Sequence, residues 1–275
     1  MNVLKREKQL VVLSALVEGN SIRSIERMTG VHQVTILRLL VRVGEHCAHL
    51  MDERMCGFHS SHLQVDEIWT FVAKKERRLT SEEAKNAELG DQYVFVAIDA
   101  ESNLIPAFTV GKRDGQTALE FLTKLRQCLE GNGRIQLTTD GLNAYLGAVE
   151  EAFGADVDYA QLVKLYEAEN PGPGRYSPPR VTETVSTPIS GNPDPEHIST
   201  SYVERQNLTM RMQMRRFTRL TNGFSKKLAN LKAAVALHFA WYNFVRVHRT
   251  LRVTPAMEAG LTDRIWGLEN LLPAK

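Results

Sequence analysis

The chain has 275 residues, of which 43% are hydrophobic and 24% charged, and its formal net charge is +2. This composition is ordinary for a soluble globular protein, and the length is sufficient for a sizeable core. The apolar runs are too short to span a bilayer and the first residues lack a long apolar segment, so we expect neither a membrane span nor a signal peptide. The 3 cysteines have no close spacing, which excludes a disulfide framework and predicts a cytoplasmic protein.

The first 50 residues predict an all-α helix-turn-helix domain (residues 1–50). Apolar residues cluster at helical spacing over residues 7–17 and 31–42, and Ser21 is a typical N-cap for a short helix between them. The Thr-Gly pair at 29–30 provides a tight turn before the third helix. The predicted buried residues are Ile22, Ile25, Met28, Val31, Ile36, Leu39 and Leu40.

Four side chains near the start of the third helix are placed where they can reach base edges in a DNA groove. They are His32, Gln33, Thr35 and Arg38. The alternative is a three-helix packing unit that contacts nothing, and DNA contact is favoured mainly by the charge pattern of the rest of the chain. Residues 51–62 are predicted to be a linker, because the histidines and cysteines around them do not repeat the paired spacing of a zinc site.

The central region predicts a mixed α/β sheet. Strands are expected at residues 63–72, 93–99, 105–110, 134–139 and 158–166, with helices at 117–129 and 142–153. Three antiparallel strands, a helix, a parallel strand and another helix describe a ribonuclease-H-like fold with a mixed five-stranded sheet. We expect this catalytic domain to cover residues 63–257.

Two aspartates in this region are candidate metal ligands. Asp66 lies in the middle of an apolar strand, where a carboxylate costs free energy unless it is paired or binds a metal. Asp140 follows the strand 134–139, and ligands of open α/β sheets collect outside the strand ends. Asp99 competes for the second position but ranks below Asp140, because a strand-end aspartate before a turn has an ordinary structural role.

A third carboxylate follows a proline- and glycine-rich insertion at residues 170–198, a loop length that is usually functional or disordered. The Ser-Thr-Ser sequence at 199–201 can cap a helix that carries Glu204. Carboxylates from separate elements crowd together only when cations neutralise them. Asp66, Asp140 and Glu204 are therefore predicted to bind divalent cations for phosphodiester chemistry, with Mg²⁺ preferred and Mn²⁺ as the alternative.

The segment 205–257 contains basic residues but no Asp or Glu. Such an unmixed run indicates a polyanionic partner, and nucleic acid is the simplest one. A surface salt bridge is the ordinary role of a single helical glutamate, but this charge imbalance disfavours it for Glu204. The arginines expected to contact DNA along that helix are Arg205, Arg211, Arg215, Arg216 and Arg219.

Four motifs in this order resemble the DDE transposases of bacterial insertion sequences, and the insertion sequence one (IS-one) family most of all. They are Gln64-Val65-Asp66-Glu67-Ile68-Trp69, Thr139-Asp140-Gly141, Tyr202-Val203-Glu204-Arg205-Gln206-Asn207 and the string from Trp241-Tyr242-Asn243 to Thr254-Pro255-Ala256. Proteins of that family often carry a cysteine-rich zinc-binding segment before the helix-turn-helix, and the printed sequence has no such segment there.

The resemblance implies a DNA transposase that binds the terminal inverted repeats of its element, cuts the strands and joins them to target DNA. Asp66, Asp140 and Glu204 would be its catalytic metal ligands. Double-stranded DNA would be the partner, a homodimer or larger assembly would hold two DNA ends, and the protein would work at the nucleoid. The alternatives are a ribonuclease-H-like nuclease without strand transfer and a non-catalytic helix-turn-helix regulator.

The C-terminal part predicts a helix over residues 226–242, followed by a tail at 258–275. The motif residues Trp241, Tyr242 and Asn243 are interpreted as core aromatics and a helix cap at least as readily as DNA contacts.

Overall fold

The computed structural model describes residues 4–129, 131, 133–167, 181–218 and 221–274. Arg219, one of the predicted DNA contacts, lies outside these ranges, as do residues 170–180 of the predicted insertion. Within the described ranges, none of the helices combines the length and the apolar character that crossing a membrane requires.

The N-terminal region forms helices α1 (Arg6–Val17), α2 (Ile22–Thr29) and α3 (Gln33–Arg54). The Ser21 hydroxyl accepts a hydrogen bond from the Ser24 backbone N–H at 3.1 Å, as the predicted N-cap requires. Gly30 ends α2 with a φ of 67°, the left-handed conformation that glycine adopts without strain.

Most of the predicted helical core is buried, but Met28 is not. Its exposure is 60%, so the prediction that it shares the buried face of α2 is wrong. The helix has only eight residues and Ile25 is its buried residue, since α1 and α3 cover just one side of it. Ile22 is partly buried against the core.

Helix α3 continues past residue 50, into the segment predicted as a linker, and packs against a second long helix, α7 (Leu228–Phe244). The two backbones approach closely at Gly44, where an added Cβ would lie 2.3 Å from the Ala233 carbonyl oxygen. One hydrophobic core runs from the N-terminal helices into the sheet. The N-terminal helical region is thus joined to the rest of the described structure by apolar packing.

The sheet has six strands in the order β3-β2-β1-β4-β5-β6. They are β1 (His62–Val72), β2 (Gly90–Asp99), β3 (Phe108–Gly111), β4 (Ile135–Thr139), β5 (Val157–Tyr166) and β6 (Val181–Ser190). The pairs β1–β2, β2–β3 and β5–β6 are antiparallel, whereas β1–β4 and β4–β5 are parallel. This mixed sheet has the predicted ribonuclease-H-like architecture.

The predicted number of five strands is wrong, because β6 lies within the segment predicted as a loop-like insertion. Every residue of β6 is exposed. A strand that buries neither face needs no alternation of apolar and polar residues, so its sequence lacks the usual signal. Backbone pairing with β5 decides its conformation.

Helices cover both faces of the sheet. On one face, Phe95 of β2 contacts Phe121 of α4 (Gly115–Cys128) and Tyr145 of α5 (Ala144–Phe153). On the other face, Phe108 of β3 packs against Phe239 of α7, with ring centroids 5.0 Å apart. Helix α6 (Ser201–Gln213) contacts β1.

The last part of the chain contains helix α8 (Pro255–Glu258) and a short 3-10 helix (Leu268–Leu271). Residues predicted to form a tail pack against the body of the protein, since Trp266 stacks on Phe244 with centroids 4.4 Å apart. Asn243 is fully buried and bonds both the N–H and the C=O of Ile105, at 3.0 and 2.8 Å. This part of the Trp-Tyr-Asn motif is structural.

Candidate metal centre

Asp66 and Asp140 lie side by side because of the register between two parallel strands. The β1–β4 pairing ends at Val65 and Thr139, and each aspartate is the next residue in its chain. Both carboxylates therefore stand where β4 leaves the sheet, which is the position at which open α/β sheets bind ligands.

Glu67 joins the two aspartates, and sequence reasoning missed it. Carboxylate oxygens of Asp66, Glu67 and Asp140 lie within 4.8 Å of one another. Strand alternation assigns neighbouring residues to opposite faces of the sheet, so the sequence argument separated Glu67 from Asp66. The signal that could have found it is the same one that marked Asp66, an acidic residue in an apolar strand.

Asp66 is held by two hydrogen bonds in a poorly solvated position. Its Oδ1 accepts from the Glu67 backbone N–H and its Oδ2 from the Asn207 side chain of α6, both at 2.8 Å. Burial, followed by the charges of Glu67 and Asp140, raises the pKa of Asp66 to about 7. The carboxylates thus repel one another when they are all ionised.

Arg113, which lies between β3 and α4, connects the other two carboxylates. Its Nε is 2.5 Å from Glu67 Oε1, and its terminal nitrogen is 3.6 Å from Asp140 Oδ2. The Tyr145 hydroxyl donates to Glu67 Oε2 at 3.1 Å. Burial raises the pKa values of Glu67 and Asp140, and the nearby guanidinium partly offsets this rise.

Glu204 lines the same cavity but is not part of the tight cluster. Its carboxylate accepts a hydrogen bond from the Thr200 hydroxyl at 2.7 Å and forms an ion pair with Lys164 of β5. The charge of Glu204 contributes to the raised pKa of Asp66. The structure therefore brings all three predicted carboxylates to one cavity, and it pairs two of them with Glu67 at close range.

The cavity has a volume of about 930 Å³. Besides the carboxylates, the basic residues that line it are Arg113, Lys164 and Arg211. Anionic groups at the centre with cationic groups around them can hold metal cations and the phosphates of a substrate together.

The donor set fits a divalent cation of the magnesium type. All candidate ligand atoms are carboxylate oxygens, which hard cations prefer. Among the described residues, this is the one group of three or more acidic, His or Cys side chains close enough to hold an ion. A bound cation would reduce the repulsion among the carboxylates, which contributes to the raised pKa values of Asp66 and Glu67.

The other predicted site residues lie elsewhere. The side chains of His32, Gln33, Thr35 and Arg38 are exposed at the start of α3, outside the acidic cavity. The competitor Asp99 accepts bonds from Ser60 and from the backbone and hydroxyl of Ser102, as expected for a turn residue.

The predicted arginine row is only partly helical. Arg205 is exposed on α6 and Arg211 lines the cavity, but α6 ends at Gln213. Arg215 and Arg216 follow in a 3-10 helix (Arg215–Phe217). The expected regular helical spacing beyond Arg211 is wrong because Met214 adopts an extended conformation that stops the helix.

A family model described as a DDE domain, that of the IS240 group of transposases, matches residues 88–168. The matched segment includes Asp140, Arg113, Tyr145 and Lys164, whereas Asp66, Glu67 and Glu204 lie outside it. None of the curated protein sequences matches the chain.

Solved structures resemble the chain at low sequence identity. A pre-cleavage Mos1 transpososome shares 12% identity, with 58% of this chain and 61% of that chain covered and a TM-score of 0.25. A piggyBac transposase synaptic complex with hairpin DNA shares 9%, covering 99% and 71%, with a TM-score of 0.43. The endonuclease V of Streptomyces avermitilis shares 14%, covering 64% and 88%, with a TM-score of 0.25. The chain thus spans about three fifths of the Mos1 chain that it matches.

The sheet topology, the acidic cluster beside β4 and the sequence match agree with one another. Residues 88–168 of this ribonuclease-H-like sheet are thus similar to the DDE domain of a transposase group.

Proposed function

We propose that this protein is a DNA transposase that cleaves strands at the ends of a mobile element and joins them to target DNA. The observation that carries the proposal is the meeting of Asp66, Glu67 and Asp140 within 4.8 Å at the strand ends of the DDE domain. Glu204 and three basic residues line the same cavity. Acidic groups that bind cations beside basic groups that bind phosphates are what phosphodiester chemistry requires.

In this proposal Asp66 and Asp140 hold a divalent cation, Mg²⁺ or alternatively Mn²⁺, together with Glu204 or Glu67. When bound, such a cation supplies Lewis-acid activation and neutralises charge that develops on the phosphate. Arg211 would bind the DNA backbone beside the acidic centre. Asn207 would orient Asp66 through its 2.8 Å hydrogen bond.

The partner would be double-stranded DNA, at both the element ends and the target. The exposed side chains at the start of α3 would read the terminal repeats, with residues 1–50 as the DNA-binding part and 63–257 as the catalytic part. A homodimer or larger assembly would hold two DNA ends, in the cytoplasm at the nucleoid. The finer relationship to the IS-one family rests on the four sequence motifs.

The test compares matched carboxylate-to-amide variants in a strand-transfer assay with labelled element ends. We expect Asp66→Asn and Asp140→Asn to abolish cleavage and joining in Mg²⁺ and Mn²⁺ while end binding persists. Glu120→Gln, an exposed position on α4, is the control and should retain activity. Joining by either aspartate variant would refute the proposed reaction.

Glu67→Gln and Glu204→Gln decide which glutamate completes the centre. If Glu204 is the third ligand, as the sequence predicts, Glu204→Gln should lose at least a hundredfold in rate, and Glu67→Gln should lose less because it only frees Arg113. The reverse order would assign the role to Glu67. If the unmodified protein cuts the element ends but never joins them to target DNA, the result would favour a nuclease instead.

A further inference from the structure

A second cavity, with a volume of about 690 Å³, lies between the N-terminal helices and α7. Its wall is formed by the end of α1, the starts of α2 and α3, the segment after α6, residues 222–226 and α7. It shares no lining residue with the acidic cavity. The proposed strand-transfer chemistry does not use it.

The cavity is strongly basic. The charged residues that line it are Arg23, Arg215, Arg216 and Lys226, and among the described residues no Asp or Glu lines it. A protein surface normally mixes charges of both signs, so a cavity whose charged lining residues are all cationic favours an anionic ligand.

Arg216 is the cation best placed to bind an anion in this cavity. Its guanidinium donates to the Ser225 hydroxyl at 2.9 Å, and within the described part of the chain no carboxylate forms an ion pair with it. Desolvation lowers the pKa of Arg216 to about 10. A partly buried guanidinium without a carboxylate retains free N–H donors that suit the oxygens of a phosphate.

His238 adds an independent polar feature at the α7 wall. It is 3% exposed, and neither Nδ1 nor Nε2 has a hydrogen-bond partner among the described residues. Buried polar atoms without partners are rare in native proteins, and a ligand is one explanation for them. Burial lowers the pKa of His238 to about 3, so its ring is neutral and offers one donor and one acceptor.

We propose that this cavity binds one nucleotide unit, with the phosphate at Arg216 and the base facing His238. A phosphate alone would leave His238 without a partner and would fill only part of the volume. A heteroaromatic base has both donors and acceptors, so it can satisfy a neutral imidazole when the His238 ring, whose nitrogens are buried in this structure, turns toward the cavity that it lines. Phe224, which also lines the cavity, provides a ring on which such a base can stack.

The nucleotide would belong to the DNA strand that passes the acidic cavity. This assignment of the nucleotide to DNA rests on the proposed function. Helix α6 joins the two sites, since Glu204 lines one and Gln213 the other. Nine helical residues span about 14 Å. This distance corresponds to about four steps of a DNA strand at 3.4 Å per step.

Binding to the full-length protein without added metal tests the site. The probes are thymidine 5′-monophosphate, inorganic phosphate and a single-stranded oligothymidylate, each measured by calorimetry. We expect Arg216→Gln to weaken all three by about tenfold or more through loss of charge-assisted bonds. Arg126→Gln, on α4 at the opposite face of the sheet, is the matched control and should bind as the unmodified protein does.

The variant His238→Phe tests recognition of the base independently of phosphate binding. It also provides a decisive result if Arg216→Gln does not fold. This variant fills the same space and removes the unpartnered nitrogens, so it should fold. We expect it to weaken the mononucleotide and the oligonucleotide several-fold and to leave inorganic phosphate unchanged. Equal nucleotide binding by the unmodified protein and His238→Phe would overturn the proposal.

The two nucleotide probes identify the source. Tighter binding of the oligothymidylate supports DNA, whereas equal or tighter binding of the mononucleotide would overturn DNA as the source. All of these readouts are independent of cleavage, so a failure of the nucleotide site is distinguishable from a failure of the proposed strand transfer.

Discussion

The side-chain carbonyl oxygen of Gln64 accepts hydrogen bonds from the backbone N–H groups of Tyr202 and Val203, at 2.8 and 3.3 Å. The first turn of α6 is thereby capped by a residue of β1, while the N-cap residue Thr200 directs its own hydroxyl to Glu204. Gln64 is 3% exposed and lies two residues before Asp66. One side chain thus fixes the position of Glu204 relative to the aspartates.

We predict that Gln64→Leu lowers the strand-transfer rate by about tenfold or more, because small displacements of catalytic groups have large effects. The lost cap should cost about 1–2 kcal/mol of unfolding free energy. Single-turnover strand transfer and chemical denaturation measure the two effects.

Gln136→Leu is the matched control for that variant. Gln136 of β4 also makes two hydrogen bonds to a later segment, but they go to the backbone of Asp194, which precedes α6. It should lose similar stability and keep its activity. If both variants lose activity in proportion to stability, Gln64 has no positioning role.

Removing Arg113 should increase the response of the protein to divalent cations. Arg113 neutralises Glu67 and Asp140, so Arg113→Met leaves carboxylates that repel one another without compensation. We expect a loss of about 1–2 kcal/mol in unfolding free energy at pH 8 without metal, since the arginine is partly solvated. The rise in melting temperature on adding MnCl₂ should be larger than in the unmodified protein.

Arg134→Met serves as the reference for the arginine substitution, because Arg134 pairs with Asp158 away from the cavity. Its metal response should equal that of the unmodified protein. If the rise in melting temperature on adding MnCl₂ is unchanged or smaller in Arg113→Met, then Arg113 does not compete with cations for Glu67 and Asp140.

The contact between α3 and α7 predicts opposite outcomes for two glycine-to-alanine variants. At Gly44 the new Cβ would lie 2.3 Å from a backbone oxygen of Ala233, so Gly44→Ala should cost about 1–3 kcal/mol. Gly147, on α5, has no atom within 4 Å of such a Cβ, and Gly147→Ala should stabilise by about 0.5–1 kcal/mol. Urea denaturation of both variants measures this, and equal effects would contradict the close helix contact.

His238 should make the protein sensitive to acid. Its folded-state pKa of about 3 lies below the ordinary 6.5, since burial and the charge of Arg246 both oppose protonation. Between these values the unfolded chain binds a proton that the folded protein excludes, so stability is complete above pH 6.5 and falls as the pH decreases toward 3.

At pH 5 the expected loss from this residue is about 2 kcal/mol relative to pH 7. His238→Phe should lack this contribution and show a shallower decrease in unfolding free energy over that range. Parallel pH profiles for the two proteins would show that His238 is accessible to protons in the folded state.

The sequence alone determined the elements that have strong local signals. Residue alternation and apolar clustering identify β1, β2 and most helices, because these patterns reflect which face of each element is buried. Asp66 was a candidate because a carboxylate in an apolar strand is costly without a partner, Asp140 because it follows a strand end, and Glu204 because its helix begins an otherwise acid-free basic segment. The chain order of these elements was enough to indicate the ribonuclease-H-like sheet.

Only the tertiary structure decided the features that depend on distant residues. Strand β6 exists because β5 pairs with it, and the exposure of its side chains leaves no pattern in the sequence. Glu67 meets Asp66 because β4 ends beside them, although strand alternation alone separates their side chains. The capping of α6 by Gln64 and the basic cavity beside His238 likewise bring together residues that lie far apart along the chain, and local preferences carry no information about such contacts.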